Sequence, residues 1–464
     1  MQNLDIDILH RIVEAALKEG ASYSDIRYEE LTATNVETSK GYIESAEQLL
    51  RRGVGIRVLY SGAWGFASTE VITKEALLRA TKSALKMAKV ASSIKEKKVK
   101  LAGVSTHKAS VSANVKKNPA QIDPSEKAKL VLELDKFAYT HGESIKDVTT
   151  RYRDSNLQKI FVSSEGAEIQ LKYVRTYLVA QVVAKEGTNI SPAYETMGGV
   201  KGYEIMEGEA PFETVKTAAE RAVRLLTARV PRGGHHTVVL DNKILALIVH
   251  EAFGHTAEAD LVITGSVLTG KIGRKVASEL VTIVDDPGPE GANGWTPYDD
   301  EGVKARRVVI VDKGVLMEYM QSRETAAELG MEPTGNARAQ DYTFAPIVRM
   351  RNTYMLPGDW EPEEIIAETR HGYYLKGAMG GQADANGDFM FNVQEAWLIE
   401  NGELKEAYRG ATVSGNALDV LGSIDAVGKD LKINFPGTCG KWQLAPVDGG
   451  GPHIRCKIIV GGAR

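Results

Sequence analysis

Cysteine is scarce in this chain, with two residues in 464. Two thiols in a chain of this length cannot form the disulfide framework of a small secreted protein. The first seven residues also lack the basic region and the apolar run of a signal peptide. The sequence therefore predicts a cytoplasmic protein whose thiols are reduced and free to bind a metal ion.

Long apolar runs and an excess of positive charge are missing as well. The longest apolar run, residues 244–249, is far shorter than the ~20 residues that a membrane helix needs. The formal net charge is -4, whereas non-specific binding of nucleic acid needs a basic surface that displaces counterions. We therefore expect no membrane segment and no nucleic-acid partner, and peptides or small molecules are the expected ligands.

Length and composition predict a globular chain of two domains. Hydrophobic residues make up 43% of the chain and charged residues 25%, which is enough apolar material for a sizeable core. The breaker sequence Pro-Arg-Gly-Gly at 231–234 marks the expected boundary, so we predict an N-terminal α+β domain over 1–230 and a second domain over 231–464. The order of elements lacks regular strand–helix–strand alternation, which favours an α+β fold over a doubly wound sheet.

Hydrophobic periodicity predicts the elements of the N-terminal half. Helical spacing predicts helices over 6–18, 74–91, 124–141 (with Asp123 as N-cap) and 211–230. Alternation of apolar and polar residues predicts an antiparallel meander with strands over 22–33, 35–43, 48–60 and 63–67. Further strands are expected between 144 and 184, and the lysine-rich segment 93–117 is interpreted as a solvated connector.

Glycine-punctuated strands predominate in the C-terminal half, which we predict to be β-rich. Strands are expected over 237–240, 303–311, 315–320, 389–400 and 454–460. One helix is predicted from residue 242 to about 254. This helix carries the motif on which the functional interpretation depends.

The segment 250–255 reads His-Glu-Ala-Phe-Gly-His and carries two imidazoles around a carboxylate. The chain has only 9 histidines, so two of them so close to one glutamate are not expected from composition. Two imidazoles can hold a zinc ion, and a neighbouring carboxylate can act as a base beside it. The alternative is a set of ordinary polar residues on a helix surface.

The spacing of these histidines differs from the common zinc-peptidase motif, in which they lie four apart on one helix face. His255 follows His250 by five positions, a rotation of about 500° on a regular helix, which turns the two side chains about 140° apart. Both can bind one zinc ion only if the helix bulges or breaks between them. Gly254 tolerates unusual dihedral angles, so the sequence predicts a distorted helix around Phe253 and Gly254.

A catalytic zinc usually takes three protein ligands and leaves one position for water, so a third ligand must come from elsewhere. The candidates are Cys439, Cys456, His371, His453, Glu258 and Asp260. The two carboxylates could instead orient the histidines.

The sequence patterns around the two cysteines differ. Alternation over 454–460 puts Cys456 on the apolar face of a strand, as a buried small hydrophobe. Cys439 lies in the glycine-flanked segment Pro-Gly-Thr-Cys-Gly-Lys, where the backbone can approach closely and Lys441 favours the thiolate. We therefore prefer Cys439 as the third ligand.

Glu251 directly follows the first histidine, and its expected role is that of general base. It would take a proton from zinc-bound water, whose pKa the metal lowers to about 7. The alternative is a solvated carboxylate on the helix surface.

Together with Glu258 and Asp260, the segment 250–255 resembles the metal motif of the TldD/PmbA family of peptidases, once described as modulators of DNA gyrase. Three other stretches agree with the family: 298–302 (Tyr-Asp-Asp-Glu-Gly), Gly380-Gly381 followed by Asp388-Phe389, and 437–441 (Gly-Thr-Cys-Gly-Lys). The resemblance covers most of the chain and is strongest after Pro231.

The resemblance implies a zinc peptidase in which His250, His255 and Cys439 bind Zn²⁺ and Glu251 is the catalytic base. It also implies a dimer. The expected partner is TldE (PmbA), a paralogue of similar fold without the metal motif, in a heterodimer with an internal cavity; a homodimer is the alternative. The implied substrates are unfolded or leader-type peptides held in extended form.

The glycine-bounded strands over 380–395 suit such a substrate, because an extended peptide can add to a sheet edge through backbone hydrogen bonds. A plain hairpin in the core is an equal alternative. Arg338, Tyr342 and Arg349 are candidate polar contacts to a peptide backbone or terminus.

Two other functions stay open at this point. In the first, the zinc is structural, with four protein ligands, and the chain is a regulatory or scaffold protein that acts through a paralogous partner. In the second, the same chemistry hydrolyses another amide or an ester.

Overall fold

The N-terminal half is built on one long, mostly antiparallel sheet. The structure is a computed structural model and describes residues 5–462. The strands of this half are β1 (Tyr23–Ser39), β2 (Tyr42–Tyr60), β3 (Ala63–Thr69), β4 (Lys108–Ser112), β5 (Ile145–Ser163), β6 (Glu168–Glu186) and β7 (Asn189–Gly199). Their order is β3-β2-β1-β5-β6, and β4 and β7 share the outer edge of β6, β4 running parallel to it.

Helices cover this sheet. They are α1 (Ile6–Lys18), α2 (Lys74–Ile94), α3 (Pro124–Tyr139) and α4 (Ala210–Leu225), with 3-10 turns at Pro119–Gln121 and Tyr203–Met206. Asp5, Thr73 and Asp123 cap the first three helices, because each side chain accepts a backbone N–H of the first turn. The apolar faces of α1 and α2 pack on β1 to β3, and those of α3 and α4 pack on β5 and β6.

Short elements predominate in the C-terminal half. Its helices are α5 (Asn242–Leu247), α6 (Ala259–Ile263), α7 (Arg323–Leu329), α8 (Pro362–Ala367) and α9 (Ala417–Gly422). Its strands are β8 (Gly234–Leu240), β9 (Ile283–Asp286), β10 (Val308–Asp312), β11 (Val315–Leu316), β12 (Ala337–Arg338), β13 (Ile347–Val348), β14 (Asn352–Met355), β15 (His371–Ala383), β16 (Asp388–Glu400), β17 (Glu403–Tyr408), β18 (Thr412–Asn416), β19 (Ala426–Val427), β20 (Lys432–Ile433), β21 (Gly437–Lys441), β22 (Gln443–Gly451) and β23 (Ile454–Gly461).

Two mixed sheets enclose the core of this half. One has the order β15-β8-β23-β18-β16-β17, and β15 also pairs with β16. The other has the order β11-β10-β9-β14-β22-β20, with β21 hairpinned onto β22. The segment that follows α5 is buried between them, because its side chains belong to the same apolar cluster as those of β8, β9 and β23. The fold is therefore α+β with a β-rich C-terminal half, as the sequence predicts.

Some predicted element bounds are wrong. Residues 22–60 form two long strands, not three, because the turn lies at Lys40 and Gly41, both at positive φ, inside the strand predicted over 35–43. The helix predicted to Val230 ends at Leu225, and the strand predicted over 303–311 begins only at Val308. Part of the predicted connector over 93–117 is the short strand β4.

The Tyr-Asp-Asp-Glu-Gly stretch at 298–302 ties the two halves together. Arg57 of β2 donates to Glu301 (Nη1–Oε1 3.0 Å), and Lys159 of β5 donates to Asp300 (Nζ–Oδ1 2.8 Å). Asp299 stabilises the turn itself, since its carboxylate accepts backbone N–H groups of the same loop. The division of the chain after residue 230 stays a prediction. Within residues 5–462, no helix is both long and apolar enough to cross a membrane.

Candidate metal centre

A π-helix carries the first part of the site. The α-helical backbone of α5 ends at Leu247, continues as a π-helix over Ile248–Gly254 and then as a 3-10 turn over His255–Ala257. A π-helix has a wider turn, which brings residues five apart toward one face. The helix distortion predicted from the spacing of His250 and His255 is thus confirmed.

Gly254 is needed for its small size and not for unusual dihedral angles, which corrects the sequence-based reason. Its φ of -58° and ψ of -46° are ordinary helical values. A Cβ atom at this position would lie 2.3 Å from Sδ of Met350 and 3.0 Å from the carbonyl oxygen of Val249. Glycine therefore lets the segment after β13 pack directly against the π-helix.

The two imidazoles face each other across a short gap. The ring centroids of His250 and His255 lie 5.3 Å apart, with the ring planes at 82°. Nε2 of His250 is buried and has no hydrogen-bond partner within residues 5–462. A buried ring nitrogen without a partner is costly, so this atom is suited to a ligand that the chain itself does not supply.

Cys439 reaches the histidines from a hairpin far along the chain. Its Sγ lies 3.1 Å from Nε2 of His255, and the side chain is buried. The hairpin of β21 and β22 pairs Cys439 with Ala445, and Nη2 of Arg349 donates to the carbonyl oxygen of Cys439 (2.8 Å). A buried guanidinium thus fixes the backbone that presents the thiol.

Glu251 completes the cluster on its solvent side. One potential ligand atom from each of His250, Glu251, His255 and Cys439 lies within 4.8 Å of the other three. The Glu251 carboxylate is 3.6 Å from Nε2 of His255, and its side chain is 35% exposed. It is therefore the member of the cluster that water and substrate reach most easily.

A second layer of charge holds His255 in place. Oε2 of the fully buried Glu258 lies 2.7 Å from Nδ1 of His255 and 3.1 Å from Nζ of Lys441. Lys441 also donates to Asp260 (2.9 Å) and to the carbonyl oxygen of Val348 (2.7 Å). Lys441 acts here through Glu258 and Asp260, and not directly on the thiol as the sequence suggests.

The pKa values follow from these contacts. Burial raises the pKa of the Cys439 thiol, but the charge of His250, together with His255, outweighs burial and lowers this pKa to about 5. Burial lowers the pKa of His255, but Glu258 and Cys439 outweigh it and raise this pKa to about 10. The metal-free site thus pairs a thiolate with an imidazolium. Zinc takes thiolate and neutral imidazole, so its binding would release imidazole protons.

The remaining candidates for the third ligand lie elsewhere. Cys456 is buried in β23 opposite Val238, and burial raises the pKa of its thiol. His453 contacts Asp430 (Nδ1–Oδ2 2.7 Å) and the hydroxyl of Tyr374. His371 is exposed at the start of β15. Of the two cysteines and these two histidines, the structure brings only Cys439 to His250 and His255, whereas Glu258 contacts His255 from the other side, at Nδ1.

The structure does not favour the three predicted peptide contacts, because all three side chains are buried and make hydrogen bonds inside the chain. Arg338 donates to the carbonyl oxygens of Met350 and Pro446, and Arg349 to those of Gln443 and Cys439. The hydroxyl of Tyr342 donates to Glu70. Only Arg349 keeps a connection with the site, through the backbone of Cys439.

The glycine-bounded strands over 380–395 form the hairpin of β15 and β16. Both sides of β16 are paired, whereas β15 pairs with β8 only at Tyr373 to Leu375. Within residues 5–462, the rest of that side of β15 faces no strand. β15 also packs against the π-helix.

Three family models, all described as metallopeptidase domains, match this chain. The matching family models are described as PmbA/TldA metallopeptidase domain 1 (residues 24–88), central domain (117–226) and C-terminal domain (233–462). Together they cover most of the chain. The chain belongs to the PmbA/TldD metallopeptidase family.

Similar proteins carry matching names. A "Metalloprotease" of Methanothermobacter thermautotrophicus is 38% identical, covering 99% of each chain. A "Zinc metalloprotease TldD homolog" of Saccharolobus solfataricus is 32% identical, covering 98% of this chain and 100% of the other. Among solved structures, TldE from Thermococcus kodakarensis has the same fold, with a TM-score of 0.82 at 19% identity, covering 98% of this chain and 100% of that one.

Proposed function

We propose that this protein is a zinc-dependent peptidase in which His250, His255 and Cys439 hold the ion and Glu251 is the general base. One observation carries the proposal: two distant segments bring two imidazoles, a thiol and a carboxylate within 4.8 Å of one another. The names of the similar proteins, metalloprotease and zinc metalloprotease, support it.

The donor set fits zinc in number and in kind. Zinc binds imidazole nitrogen and thiolate sulfur, and catalytic sites usually use three such ligands. Nε2 of His250 is a buried nitrogen with no partner within residues 5–462, and the lowered pKa of Cys439 makes its thiolate available at neutral pH. Glu258 behind His255 has the place of the carboxylate that usually orients a zinc-binding histidine.

When bound, zinc supplies a Lewis acid that polarises a carbonyl group and makes water more acidic. Glu251 is then placed to take a proton at its exposed carboxylate and to return it to the departing amine. Glu258 and Lys441 keep His255 in one orientation while this happens.

Extended segments of unfolded or leader-type peptides are the proposed substrates. Gly377 and Ala378 of β15 are hydrogen-bonded to Asp241 and Tyr194. Beyond Ala378, this side of β15 pairs with no other strand in the described part of the chain, so a peptide strand can pair with it there. Backbone pairing makes little demand on side chains, which suits substrates of varied sequence. A paralogous partner and a cytoplasmic location stay predictions.

The direct test is metal analysis together with a Glu251→Gln variant. Purified wild-type protein should contain zinc and cleave an unstructured peptide. Glu251→Gln should keep the zinc and lose most of the activity, because the amide cannot accept the proton. Glu279→Gln, at an exposed position of the same half, is the matched control and should keep both. Full activity of zinc-loaded Glu251→Gln would exclude this residue as the base.

A structural zinc in a regulatory or scaffold protein is the second candidate, and the position of Glu251 favours it. The carboxylate lies within the cluster, so it could bind the ion as a fourth ligand and close the site. In that case the wild-type protein would contain zinc without cleaving the peptide, and Glu251→Gln would lose the zinc. The same variant therefore separates a base from a ligand.

A further inference from the structure

Three large apolar side chains lie exposed in a stripe along the outer face of α2. Met87 is 53% exposed, Val90 60% and Ile94 79%. Their spacing of three and four residues places them on one side of the helix, in its last turns. Single exposed apolar residues are common on protein surfaces, whereas a continuous apolar stripe marks a site of contact with another molecule or with a membrane.

This apolar stripe is not the face that holds α2 on the protein. The packed face contacts the N-terminal sheet and α1 through small and apolar residues: Ala76, Leu77, Ala80, Thr81, Ala84, Leu85 and Ala88. The opposite side of the helix is therefore a convex ridge on the outside of the N-terminal half, which a flat surface can approach along its length.

Lysines form a second stripe beside the apolar one. Lys82, Lys86 and Lys89 are exposed at a spacing of four and three residues, about 100° around the helix axis from the apolar stripe. Nζ of Lys89 lies 5.3 Å from the centroid of the Tyr60 ring. The outer face of α2 is thus itself amphipathic, with a cationic side and an apolar side.

Basic residues predominate over the whole segment 74–100. It holds nine lysines and arginines and two acidic residues, in a chain whose formal net charge is -4. Within residues 5–462, only Lys97 of these nine has an ion-pair partner, the carboxylate of Glu328. The uncompensated positive charge on this surface favours a partner of negative charge.

An anionic lipid bilayer matches both stripes. Lipid phosphates attract lysine ammonium groups, and the layer beneath them accepts apolar side chains. The phosphate backbone of a nucleic acid would use the lysines but would leave the apolar stripe in water. A bilayer surface is also flat enough to meet a convex helix along its length.

We propose that α2 docks this protein on the surface of an anionic lipid bilayer, where the apolar stripe enters the headgroup layer and Lys82, Lys86 and Lys89 pair with lipid phosphates. Docking of this kind needs no helix that crosses the membrane. The inference goes beyond the proposed peptidase function and uses no residue of the metal centre.

Co-sedimentation with lipid vesicles tests the proposal. The wild-type protein should bind vesicles of equal parts phosphatidylglycerol and phosphatidylcholine at least about tenfold more tightly than vesicles of phosphatidylcholine alone. Raising the salt concentration from about 0.1 M to about 1 M should weaken binding to the anionic vesicles, because ions screen the lysines. A wild-type protein that does not bind the anionic vesicles, or that binds both kinds equally, would overturn the proposal.

Removal of two lysines tests the cationic stripe. Lys86→Gln/Lys89→Gln should weaken binding to the anionic vesicles about 25-fold, at roughly fivefold for each lysine. Lys129→Gln/Lys136→Gln, at two exposed positions of α3, changes the net charge by the same amount and should bind like the wild type. Equal losses in the two variants would assign the binding to net charge and overturn the docking surface.

Replacement of apolar residues tests the other stripe. Val90→Gln/Ile94→Gln should weaken binding at least about tenfold without changing the net charge, since glutamine gains little from entering the headgroup layer. Full affinity of this variant would overturn the proposal, because the surface would then serve a polyanion. Binding of a mixed-sequence DNA duplex through the lysines alone would identify that polyanion as nucleic acid.

Circular dichroism and thermal melting show that each variant is folded; all changed side chains are exposed, and glutamine suits a helix. Because the assay measures vesicle binding and not hydrolysis, its outcome is independent of the proposed peptidase function. A zinc-free or inactive protein that still binds anionic vesicles through both stripes would leave the docking surface standing and overturn only the peptidase.

Discussion

Glu258 holds His255 from behind, with 2.7 Å between its Oε2 and Nδ1 of the imidazole. Its Oε1 accepts the backbone N–H of Met350 (3.2 Å), and Lys441 lies 3.1 Å from Oε2. A carboxylate at Nδ1 favours the tautomer that carries its proton there. Nε2 of His255 is then left to face the sulfur of Cys439.

We therefore expect Glu258→Gln to weaken zinc binding by about 10- to 100-fold. The neutral amide orients His255 less strongly and leaves Lys441 without one of its two carboxylates. Competition between the protein and a chromophoric chelator measures the affinity. Asp260→Asn is the matched control, because Asp260 contacts Lys441 but not His255. Asp260→Asn should lose clearly less zinc affinity than Glu258→Gln. Equal losses of affinity would assign the effect to Lys441.

The pair of Glu258 and His255 also predicts how the stability of the metal-free protein depends on pH. Burial raises the pKa of Glu258, but His255 and Lys441 outweigh it and lower this pKa from 4.5 to about 2. The pKa of His255 is raised from 6.5 to about 10, where burial is again outweighed, chiefly by Glu258. The contribution of Glu258 to the free energy of unfolding is complete above pH 4.5 and is lost as the pH falls toward 2. The contribution of His255 is complete below pH 6.5 and is lost as the pH rises toward 10.

The stabilisation from this pair should therefore be largest between pH 4.5 and 6.5. Urea unfolding of the chelator-treated protein across the pH range measures it, with Glu258→Gln as the reference. The difference in unfolding free energy between the two proteins should shrink toward both acid and base. A difference that is constant with pH would contradict the assigned charge states.

The two cysteines should respond to serine in opposite ways. Cys439→Ser should lose most of its zinc, because a hydroxyl is a poorer ligand than a thiolate. Cys456→Ser should keep the zinc but lower the free energy of unfolding by about 1–3 kcal/mol, since it buries a hydroxyl in the apolar cluster of β23. Zinc analysis and urea unfolding of both variants separate the two effects. Loss of zinc in Cys456→Ser alone would contradict the ligand assignment.

Local patterns predict a large part of this fold. The helix Ile6–Lys18 follows from apolar spacing and the cap at Asp123 from capping chemistry, and both depend only on residues close in sequence. The strand predicted over 35–43 is wrong because alternation continues through the turn at Lys40, where only Gly41 marks the break. Strand ends depend on pairing with distant strands, which no local pattern contains.

In the metal centre too, features set by nearby residues could be predicted, whereas contacts between distant segments could not. The five-residue spacing of His250 and His255 is a local constraint, and it predicts the distorted helix correctly. The roles of Arg349 and Met350 could not be predicted, because they depend on a segment that packs against the π-helix only in the folded chain. Glu258 is a candidate from its nearness in sequence, but its hydrogen bond to His255 is visible only in the structure.

The contact of Arg57 with Glu301 should contribute strongly to the joining of the two halves. Both side chains are buried, and Oε2 of Glu301 also accepts the backbone N–H of Arg323 (2.8 Å). Glu301→Ala should lower the free energy of unfolding by about 1–3 kcal/mol, because Asp25 still pairs with Arg57 while one N–H of Arg57 and the backbone N–H of Arg323 lose their acceptor. Glu37→Ala breaks the exposed pair with Arg151 and should cost at most about 1 kcal/mol. Urea unfolding measures both losses of free energy. Similar losses for Glu301→Ala and Glu37→Ala would mean that Asp25 alone neutralises Arg57.

The close approach of Gly254 and Met350 should be needed for the π-helix to hold His250 and His255 in position for zinc. Gly254→Ala places a Cβ atom 2.3 Å from Sδ of the buried Met350, so one of the two segments must move. We expect a loss of about 1–3 kcal/mol in the free energy of unfolding and a weaker zinc affinity. Gly422→Ala is the matched control, because a Cβ atom there meets nothing within 4 Å.

A double-mutant cycle with Met350→Ala identifies the contact responsible. Met350→Ala removes the sulfur that the new methyl group meets, so Gly254→Ala should cost less zinc affinity in that background than in the wild type. Chelator competition on the four proteins gives the coupling. Additive losses would show that the methyl group acts on the backbone, through the carbonyl oxygen of Val249, and that the π-helix does not depend on the close approach of Met350.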